Sequence, residues 1–214
     1  MPRTIPPLAV EFTRRMSEAL ALGSAGDLAA AAPRDSPIHQ EWYVARVELL
    51  YELAYLRIFI GWELFLEQTF LRYLCGYSST TGVTFSPTGA GAFYATLRDA
   101  EASVLGGRQF VLWHDPTSVI RRAHRFLINC PHESVIPSHT TRLADYGSVR
   151  HRIAHGQDDA RQKFNSATMN LAGRRYRGAR PGRFLRDWDR SSTPARRWLN
   201  VLGADLAGLA QQMV

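Results

Sequence analysis

Lysine and cysteine are both scarce in this sequence of 214 residues. Lys163 is the one lysine, so arginine supplies nearly all of the 26 basic residues. The two cysteines, Cys75 and Cys130, form no CxxC pair and show no spacing typical of metal ligands. We interpret both as reduced core thiols, and the remaining histidines show no HExxH-like spacing, so we expect no metal and no cofactor.

Long uninterrupted apolar runs are also missing. The first residues, MPRTIPPLAVEFTRRM, lack the apolar run of a secretory signal. The most apolar stretch, residues 49–66, is interrupted by Glu52, Arg57 and Glu63, and each of these is costly at bilayer depth. We therefore expect a cytoplasmic protein that has no membrane contact.

Acidic residues are too few to balance the arginines. The formal net charge is +7 and the sequence pI is about 9.9. Such an excess is typical of proteins that bind a polyanion such as nucleic acid, although it also serves solubility. A codon-biased genome would produce the same arginine excess, since the arginines run through the whole chain.

Alternating strand patterns and internal repeats are absent, whereas helical periodicity is frequent. The pattern predicts helices over residues 8–22, 41–74, 93–105, 116–129 and 194–213, and a further helix from Ser138 or Thr140 to His155. Residues 23–37 read as a small-residue linker, and residues 76–92 as a turn-rich loop. The fold class is all-α, a helical bundle.

The predicted helices suggest how the chain is organised. Residues 1–40 hold an N-terminal helix and a linker, and residues 41–214 form the main helical domain. Within that domain we expect a core over about residues 41–160. A basic loop and a last helix follow over residues 161–214.

A cluster of basic side chains, Arg150-His151-Arg152-Ile153-Ala154-His155, precedes Gly156 at the end of a predicted helix. An R-x4-H spacing alone is weak, because chance supplies roughly 0.8 such matches in so arginine-rich a chain. Three other arginine–histidine pairs have a similar spacing, and their histidines are His39, His114 and His132. They lie in the linker, in a loop after a Gly-Gly pair, and across Pro131, whereas Arg150 and His155 share one continuous helix.

Five residues of helix rotate about 140°, so the Arg150 and His155 side chains do not share one face. A left-handed cap at Gly156 would let His155 turn back toward a phosphate bound by Arg150. The plain alternative is a helix terminus at which His155 and Arg152 only offset the helix dipole.

The segment RHRIAHG resembles the signature of the HEPN superfamily, which is an arginine, a polar residue, several spacers and a histidine on a late helix. A second match is IFIGWELFLEQTF, in which Glu63, Phe65 and Leu66 resemble the family's earlier acidic core helix. The resemblance covers residues 41 to 160. It implies a HEPN-type bundle with additional N- and C-terminal helices.

The resemblance also implies a chemistry. Many family members are toxins or antiphage defence effectors that cleave RNA without metal, by attack of the 2′-hydroxyl to leave a cyclic phosphate. By this resemblance His155 is the general acid or base and Arg150 the phosphate clamp. His151 is a second proton carrier or phosphate contact, or else a solvated surface residue. Arg152 is a candidate RNA contact or plain surface charge.

Glu63 lies among apolar residues in the sequence, and a carboxylate in such a setting needs a partner. We predict that it pairs with Arg150 and orients the guanidinium. The alternatives are a pair with Arg57 or Arg72, or simple exposure, and Glu67 is a less favoured candidate for the same role.

The basic segment over residues 173–190 contains Arg174, Arg175 and Arg177, which are candidate RNA contacts by charge and by stacking of the nearby aromatic residues. The alternative interpretation of this segment is an ordered surface loop that those aromatic residues anchor to the bundle. The resemblance further implies a homodimer with a composite active site, and a neutralising antitoxin or regulatory protein as a partner. Two other functions remain open, a non-catalytic HEPN module that binds nucleotide or nucleic acid or scaffolds a complex, and an unrelated basic helical regulator.

Overall fold

The computed structural model describes residues 3–89, 91–191 and 193–214, so that Met1, Pro2, Ala90 and Ser192 lie outside the described residues. Helices hold 66% of the chain, which confirms the all-α class. The α-helices are α1 (Leu8–Ala30), α2 (Pro37–Glu41), α3 (Val44–Leu74), α4 (Leu97–Leu105), α5 (Pro116–Phe126), α6 (Pro131–Ser134), α7 (Thr140–Ala154), α8 (Asp158–Ala172), α9 (Pro181–Arg186) and α10 (Trp198–Gln212).

The described residues also include a short 3₁₀ helix and a two-stranded sheet. A 3₁₀ helix over Ile136–His139 precedes α7. The strands β1 (Trp188–Asp189) and β2 (Arg196–Arg197) pair antiparallel, with Trp188 opposite Arg197. No helix among the described residues combines the length and the apolar character needed to cross a membrane.

The chain divides into two compact units that share the long helices. The first unit contains the described residues up to Phe12, then Trp62–Ala144 and Ala207–Val214. The second unit contains Thr13–Gly61 and Asp145–Leu206. The end of α7, which carries the candidate motif, belongs to the second unit.

Aromatic packing holds the first unit together. The rings of Phe12, Trp62 and Phe65 lie with their centroids 5.7 to 6.1 Å apart, and all three side chains are buried. The Tyr73 hydroxyl donates a hydrogen bond of 2.6 Å to the carbonyl of Met213. This bond attaches the C-terminal end of the chain to α3.

His132, which has an arginine at a spacing similar to that of the motif, is a fully buried core residue of the first unit. Its Nε2 donates to the carbonyl oxygen of Leu66 at 3.0 Å and lies 3.2 Å from the Thr69 hydroxyl. Burial lowers the pKa of His132 to about 4, so the ring is neutral at physiological pH. It is therefore a structural side chain.

The core of the second unit positions the end of α7. The Tyr55 hydroxyl on α3 donates a hydrogen bond of 2.9 Å to the carbonyl of Tyr146 on α7. Val149, one residue before the motif, is fully buried. Phe184 of α9 stacks on Trp198 of α10 with 5.4 Å between the ring centroids. The end of α7 is therefore supported by a core of packed aromatic and aliphatic side chains.

Helix α1 differs from its prediction, because it continues to Ala30 instead of ending near residue 22. The glycines that suggested a linker are sites of close packing. A Cβ at Gly23 would lie 3.3 Å from Tyr51, and a Cβ at Gly26 would lie 2.9 Å from Leu50. Small residues here allow α1 to approach α3 within the second unit, and the alanines around them favour helix.

Other boundaries follow the sequence closely. The long central helix, the helix that begins at Pro116 and the motif helix are all present as predicted. Gly106 caps α4 in the left-handed conformation, with φ of 56°. The sequence pattern does not predict helix α8, since its apolar side chains are sparse and the residues around it are polar.

Candidate functional site

The candidate motif occupies the last turn of α7. Arg150 and His151 are half-buried on the helix, and His155 is exposed one residue beyond the helix end. The His155 backbone N–H still donates to the carbonyl of His151 at 2.9 Å, so the helical geometry persists to that residue. Continuous helix from Arg150 to Ala154 is confirmed.

The two histidines of the motif contact each other. Their ring centroids are 4.6 Å apart and the rings are tilted by 50°. This contact arises because residues four apart share one face of a helix. Two imidazoles on one exposed surface can serve as a proton acceptor and a proton donor for the same reaction.

The pKa of His151 lies below its ordinary value of 6.5. Desolvation is the largest cause, and the positive charges of His155 and Lys163 add to it. Each of these disfavours the protonated ring, so the neutral form of His151 predominates at pH 7. A neutral imidazole can accept a proton.

The predicted left-handed cap at Gly156 is wrong. The backbone of Gly156 is outside the left-handed region, and its surroundings are open, since a Cβ at this position would meet no described atom within 4 Å. Arg152 ends the helix instead. Its Nη1 donates to the carbonyl of His155 at 3.4 Å, and its Nε donates to the carbonyl of Ala179 at 3.2 Å. Arg152 therefore connects the motif to the basic segment.

Glu63 lies on α3 in the first unit, with its Oε1 3.8 Å from Nδ1 of His114. The proposed pair with Arg150 stays a prediction. The two alternative partners of Glu63 interact with other residues. Nη2 of Arg57 lies 3.7 Å from Oε2 of Glu18, and Nη1 of Arg72 donates a hydrogen bond of 2.5 Å to Oε1 of Gln68. The Glu67 carboxylate accepts a hydrogen bond of 3.1 Å from Trp113.

A cleft of about 640 Å³ opens in the second unit beside the basic segment. We call it the arginine cleft, since its lining, among the described residues, contains eight arginines but two carboxylates, Glu48 and Asp187. The arginines are Arg174, Arg175, Arg177, Arg180, Arg183, Arg186, Arg190 and Arg197. The predicted RNA contacts Arg174, Arg175 and Arg177 are among them. Four more of these arginines belong to the same predicted basic segment, whereas Arg197 lies outside it.

Asp27 of α1 holds two of these arginines. Its carboxylate accepts hydrogen bonds from Arg186 at 2.8 Å, from Arg197 at 3.1 Å and from the Tyr51 hydroxyl at 2.7 Å. Desolvation alone would raise the pKa of Asp27, but the hydrogen bonds from Tyr51 and Arg186 and the neighbouring positive charges outweigh it, so the pKa is lowered. Asp27 is ionised and acts as a fixed anchor.

Two further carboxylates hold arginines of the cleft. Glu48 is buried on α3 and forms an ion pair of 2.5 Å with Arg180. Asp187 pairs with Arg174 and accepts a hydrogen bond of 2.6 Å from the Tyr176 hydroxyl. Four arginines are therefore fixed by acidic side chains.

Helix α9 meets α3 in very close contact at Gly182. A Cβ at this position would lie 2.3 Å from the carbonyl oxygen of Glu48, so only glycine fits. The Gly182 N–H donates to Glu52 at 2.8 Å. Desolvation raises the pKa of Glu52, and the charge of Glu48 adds to the rise, although the Gly182 bond opposes it. This contact sets the position of α9 in the cleft wall.

The loop before α9 contains Ala179 in the left-handed region, with φ of 46°. Non-glycine residues adopt this region at a cost of about 1 to 2 kcal/mol. Ala179 is buried, its N–H donates to the Tyr176 carbonyl at 2.8 Å, and its carbonyl accepts the bond from Arg152. The strained residue thus lies where the motif and the cleft meet.

The aromatic residues of the basic segment do not present stacking surfaces inside the cleft. Tyr176 and Phe184 are buried, with their ring centroids 5.3 Å apart. Trp188 is exposed, but the Arg197 guanidinium covers its ring at 4.0 Å from the centroid. The aromatics anchor the segment, which was the alternative interpretation, and base stacking by Tyr176 and Phe184 is wrong.

Carboxylates, histidines and cysteines do not gather into a metal site in the described part of the chain, where no group of three or more could hold an ion. No family model, curated protein or solved structure matches the chain.

Proposed function

We propose that this protein is a metal-independent endoribonuclease that resembles the HEPN superfamily and cleaves RNA by attack of the substrate's own 2′-hydroxyl. The observation that carries the proposal is the contact between His151 and His155 at the end of α7, with Arg150 beside them in sequence. These groups supply the two proton transfers and the fixed positive charge that such a reaction needs.

The proton transfers are assigned from the lowered pKa of His151, which favours this ring as the proton acceptor. Neutral His151 accepts the proton of the 2′-hydroxyl as the 2′-oxygen attacks phosphorus. The bond from phosphorus to the 5′-oxygen then breaks, and His155 donates a proton to that oxygen. The products are a 2′,3′-cyclic phosphate and a 5′-hydroxyl, so atoms and charge balance without a co-reactant.

Arg150 is proposed to bind the non-bridging phosphate oxygens. Its charge is permanent, and a planar guanidinium donates two parallel hydrogen bonds to a phosphate. The charge on those oxygens increases as the phosphorane forms, so the interaction is stronger in the transition state than in the ground state. Glu63 is proposed to orient the guanidinium, as a positioning residue.

A homodimer is part of the proposal. Helix α3 exposes Leu49, Leu53 and Ile60 along one face, with 52%, 49% and 56% of each residue accessible. These three positions are four and seven residues apart, so they form a stripe on the helix. Large apolar side chains grouped in this way support association of two copies. A toxin or defence role with a neutralising protein partner is retained as part of the same proposal.

The arginine cleft favours one second candidate, a non-catalytic module that binds nucleic acid. Its eight arginines attract phosphate whether or not the histidines react. Such a protein would bind RNA and release it intact.

Incubation of the purified protein with RNA in EDTA tests the proposal. The wild type should cleave the RNA, and Arg150→Ala or His155→Ala should lower the rate by a factor of about 10² to 10⁴. His124→Ala removes an exposed imidazole elsewhere and is the matched control. Intact RNA with all four proteins would refute the proposal and favour the binding module.

A further inference from the structure

The arginines of the cleft fall into two groups of four. Arg174, Arg180, Arg186 and Arg197 pair with Asp187, Glu48 and Asp27. The other four, Arg175, Arg177, Arg183 and Arg190, are exposed, and within the described part of the chain no carboxylate lies within ion-pair distance of them. The second group therefore presents positive charge that the protein itself does not neutralise.

The lining chemistry distinguishes this cleft from a pocket for a small molecule. Pockets for small ligands are mostly apolar and aromatic, with a few polar groups. Here Val44 and Tyr176 are the apolar and aromatic lining residues, and the Tyr176 hydroxyl is engaged by Asp187. The one aromatic ring of the described lining, Tyr176, is buried and offers no face to a base, whereas the guanidinium groups bind phosphate oxygens. The cleft suits a ligand that offers repeated phosphates.

The paired arginines have a different task. Arg186 and Arg197 are half-buried and share Asp27 with the buried Tyr51. Arg197 also donates to the carbonyl of Arg186 at 2.6 Å. These contacts join α1, α9 and β2 within the second unit. Such arginines hold the cleft wall and are not available as a set for a ligand.

The motif and the cleft are connected through one residue. Arg152 of the motif donates to the carbonyl of Ala179, and Ala179 lies between Arg177 and Arg180 in the chain. Two residues of chain span at most about 7 Å, so the backbone of Arg177 lies within that distance of Ala179. A strand bound in the cleft is therefore close to the motif.

We propose that the arginine cleft binds the phosphate backbone of single-stranded RNA, without reading its bases, through Arg175, Arg177, Arg183 and Arg190. This rests on the proposed function for the choice of RNA. A single strand is specified because attack by the 2′-oxygen needs that oxygen in line with the leaving oxygen, and a regular A-form duplex holds the two out of line. The four paired arginines position the wall.

A binding experiment with an RNA that cannot be cleaved separates this inference from the proposed function. A fluorescent single strand that is 2′-O-methylated throughout is titrated with the wild type at several NaCl concentrations, and anisotropy is recorded. Four neutralised phosphates predict a slope of about −2.8 for log Kobs against log salt concentration. Strands of different base composition should bind within about threefold of each other, because phosphate contacts carry no sequence information.

Matched double variants locate the binding residues. Arg175→Gln with Arg177→Gln should make the slope less negative by about 1.4. Arg34→Gln with Arg108→Gln removes the same charge from two exposed arginines outside the cleft, and it should leave the slope unchanged. Thermal unfolding of both variants should match the wild type, since all four substituted side chains are exposed.

The outcomes are distinct. The inference is supported if the slope of log Kobs against log salt concentration becomes less negative in the Arg175→Gln, Arg177→Gln variant and not in the control variant. This holds even if the wild type never cleaves RNA and the proposed function fails. Equal slopes for the two double variants would overturn it while cleavage could persist. Displacement of the strand by stoichiometric pyrophosphate would show a site for a compact polyphosphate, and a strong base preference would show base reading. Either result would also overturn it.

Discussion

The imidazole rings of His151 and His155 lie side by side at the end of α7, with 4.6 Å between their centroids. One chain therefore holds two proton carriers on one surface. A second copy is not needed to supply the second imidazole, although the exposed stripe on α3 still supports a dimer.

The pair predicts a pH dependence of cleavage. His151 must be neutral to accept a proton, and desolvation and the charge of His155 place its pKa below 6.5. The rate should therefore fall as the pH falls through the lowered pKa of His151, which lies below 6.5. The measurement is kcat/KM against pH. Persistence of the same acid limb in His151→Ala would contradict the assignment.

Gly182 predicts a sharp contrast between two glycine substitutions. Gly182→Ala places a methyl group 2.3 Å from the Glu48 carbonyl oxygen, so α9 must shift. We expect the free energy of unfolding to fall by about 3 kcal/mol and RNA binding to weaken. Gly156→Ala is the control, because a Cβ there meets no described atom within 4 Å. Urea unfolding of both variants checks this, and equal stability would show that α9 does not contact α3.

Ala179 predicts a stabilising substitution. Its φ of 46° is favourable for glycine, so Ala179→Gly should raise the free energy of unfolding by up to about 1 kcal/mol after the entropy cost of glycine. Gly178→Ala, with φ of 76° at the neighbouring position, should lower it by about 1 kcal/mol. Thermal unfolding of the two variants should give shifts of opposite sign. Shifts of the same sign would count against strain at Ala179.

His132 predicts a loss of stability in acid. The unfolded chain binds a proton at this residue below its ordinary pKa of 6.5, whereas the folded protein does so only near 4. The free energy of unfolding should therefore fall as the pH falls from about 6.5 to 4, by up to about 3 kcal/mol from this group. His132→Gln retains a donor for Leu66 and should lose this part of the dependence. Urea unfolding across this range measures it, and identical pH dependence in both proteins would refute it.

The exposed stripe on α3 predicts a dimer. Multi-angle light scattering should give twice the chain mass of 24.1 kDa for the wild type. Leu53→Glu with Ile60→Glu should give the chain mass itself, because charges are costly in an apolar interface. Leu28→Glu with Phe110→Glu changes two other exposed apolar residues and should leave the dimer intact. A monomeric wild type would remove the homodimer from the proposal.

Several elements could be predicted because their signals are local. The central helix combines strong helix formers with large apolar side chains, and Pro116 begins α5 because its fixed φ suits a first turn. The contact between His151 and His155 also has a local signal. Residues four apart share a helix face, whereas the R-x4-H pattern singles out Arg150 and His155, which do not.

The arginine cleft could not be predicted in the same way. Asp27 forms hydrogen bonds with Arg186 and Arg197, from which it is separated in sequence by more than half of the chain length. No local pattern links a carboxylate on α1 to arginines around α9. The linker prediction at Gly26 is wrong for a related reason. In sequence Gly26 resembles a linker residue, whereas in the fold its missing side chain lets Leu50 approach.

Cleavage of a DNA strand that contains one ribonucleotide tests the central claim most directly. In EDTA the wild type should cut only after the ribonucleotide, leaving a 2′,3′-cyclic phosphate and a 5′-hydroxyl, and His155→Ala should leave the strand intact. Mass spectrometry of the products identifies both ends. Cuts in an all-DNA strand, or ends carrying a 3′-hydroxyl and a 5′-phosphate, would show attack by water and contradict the account.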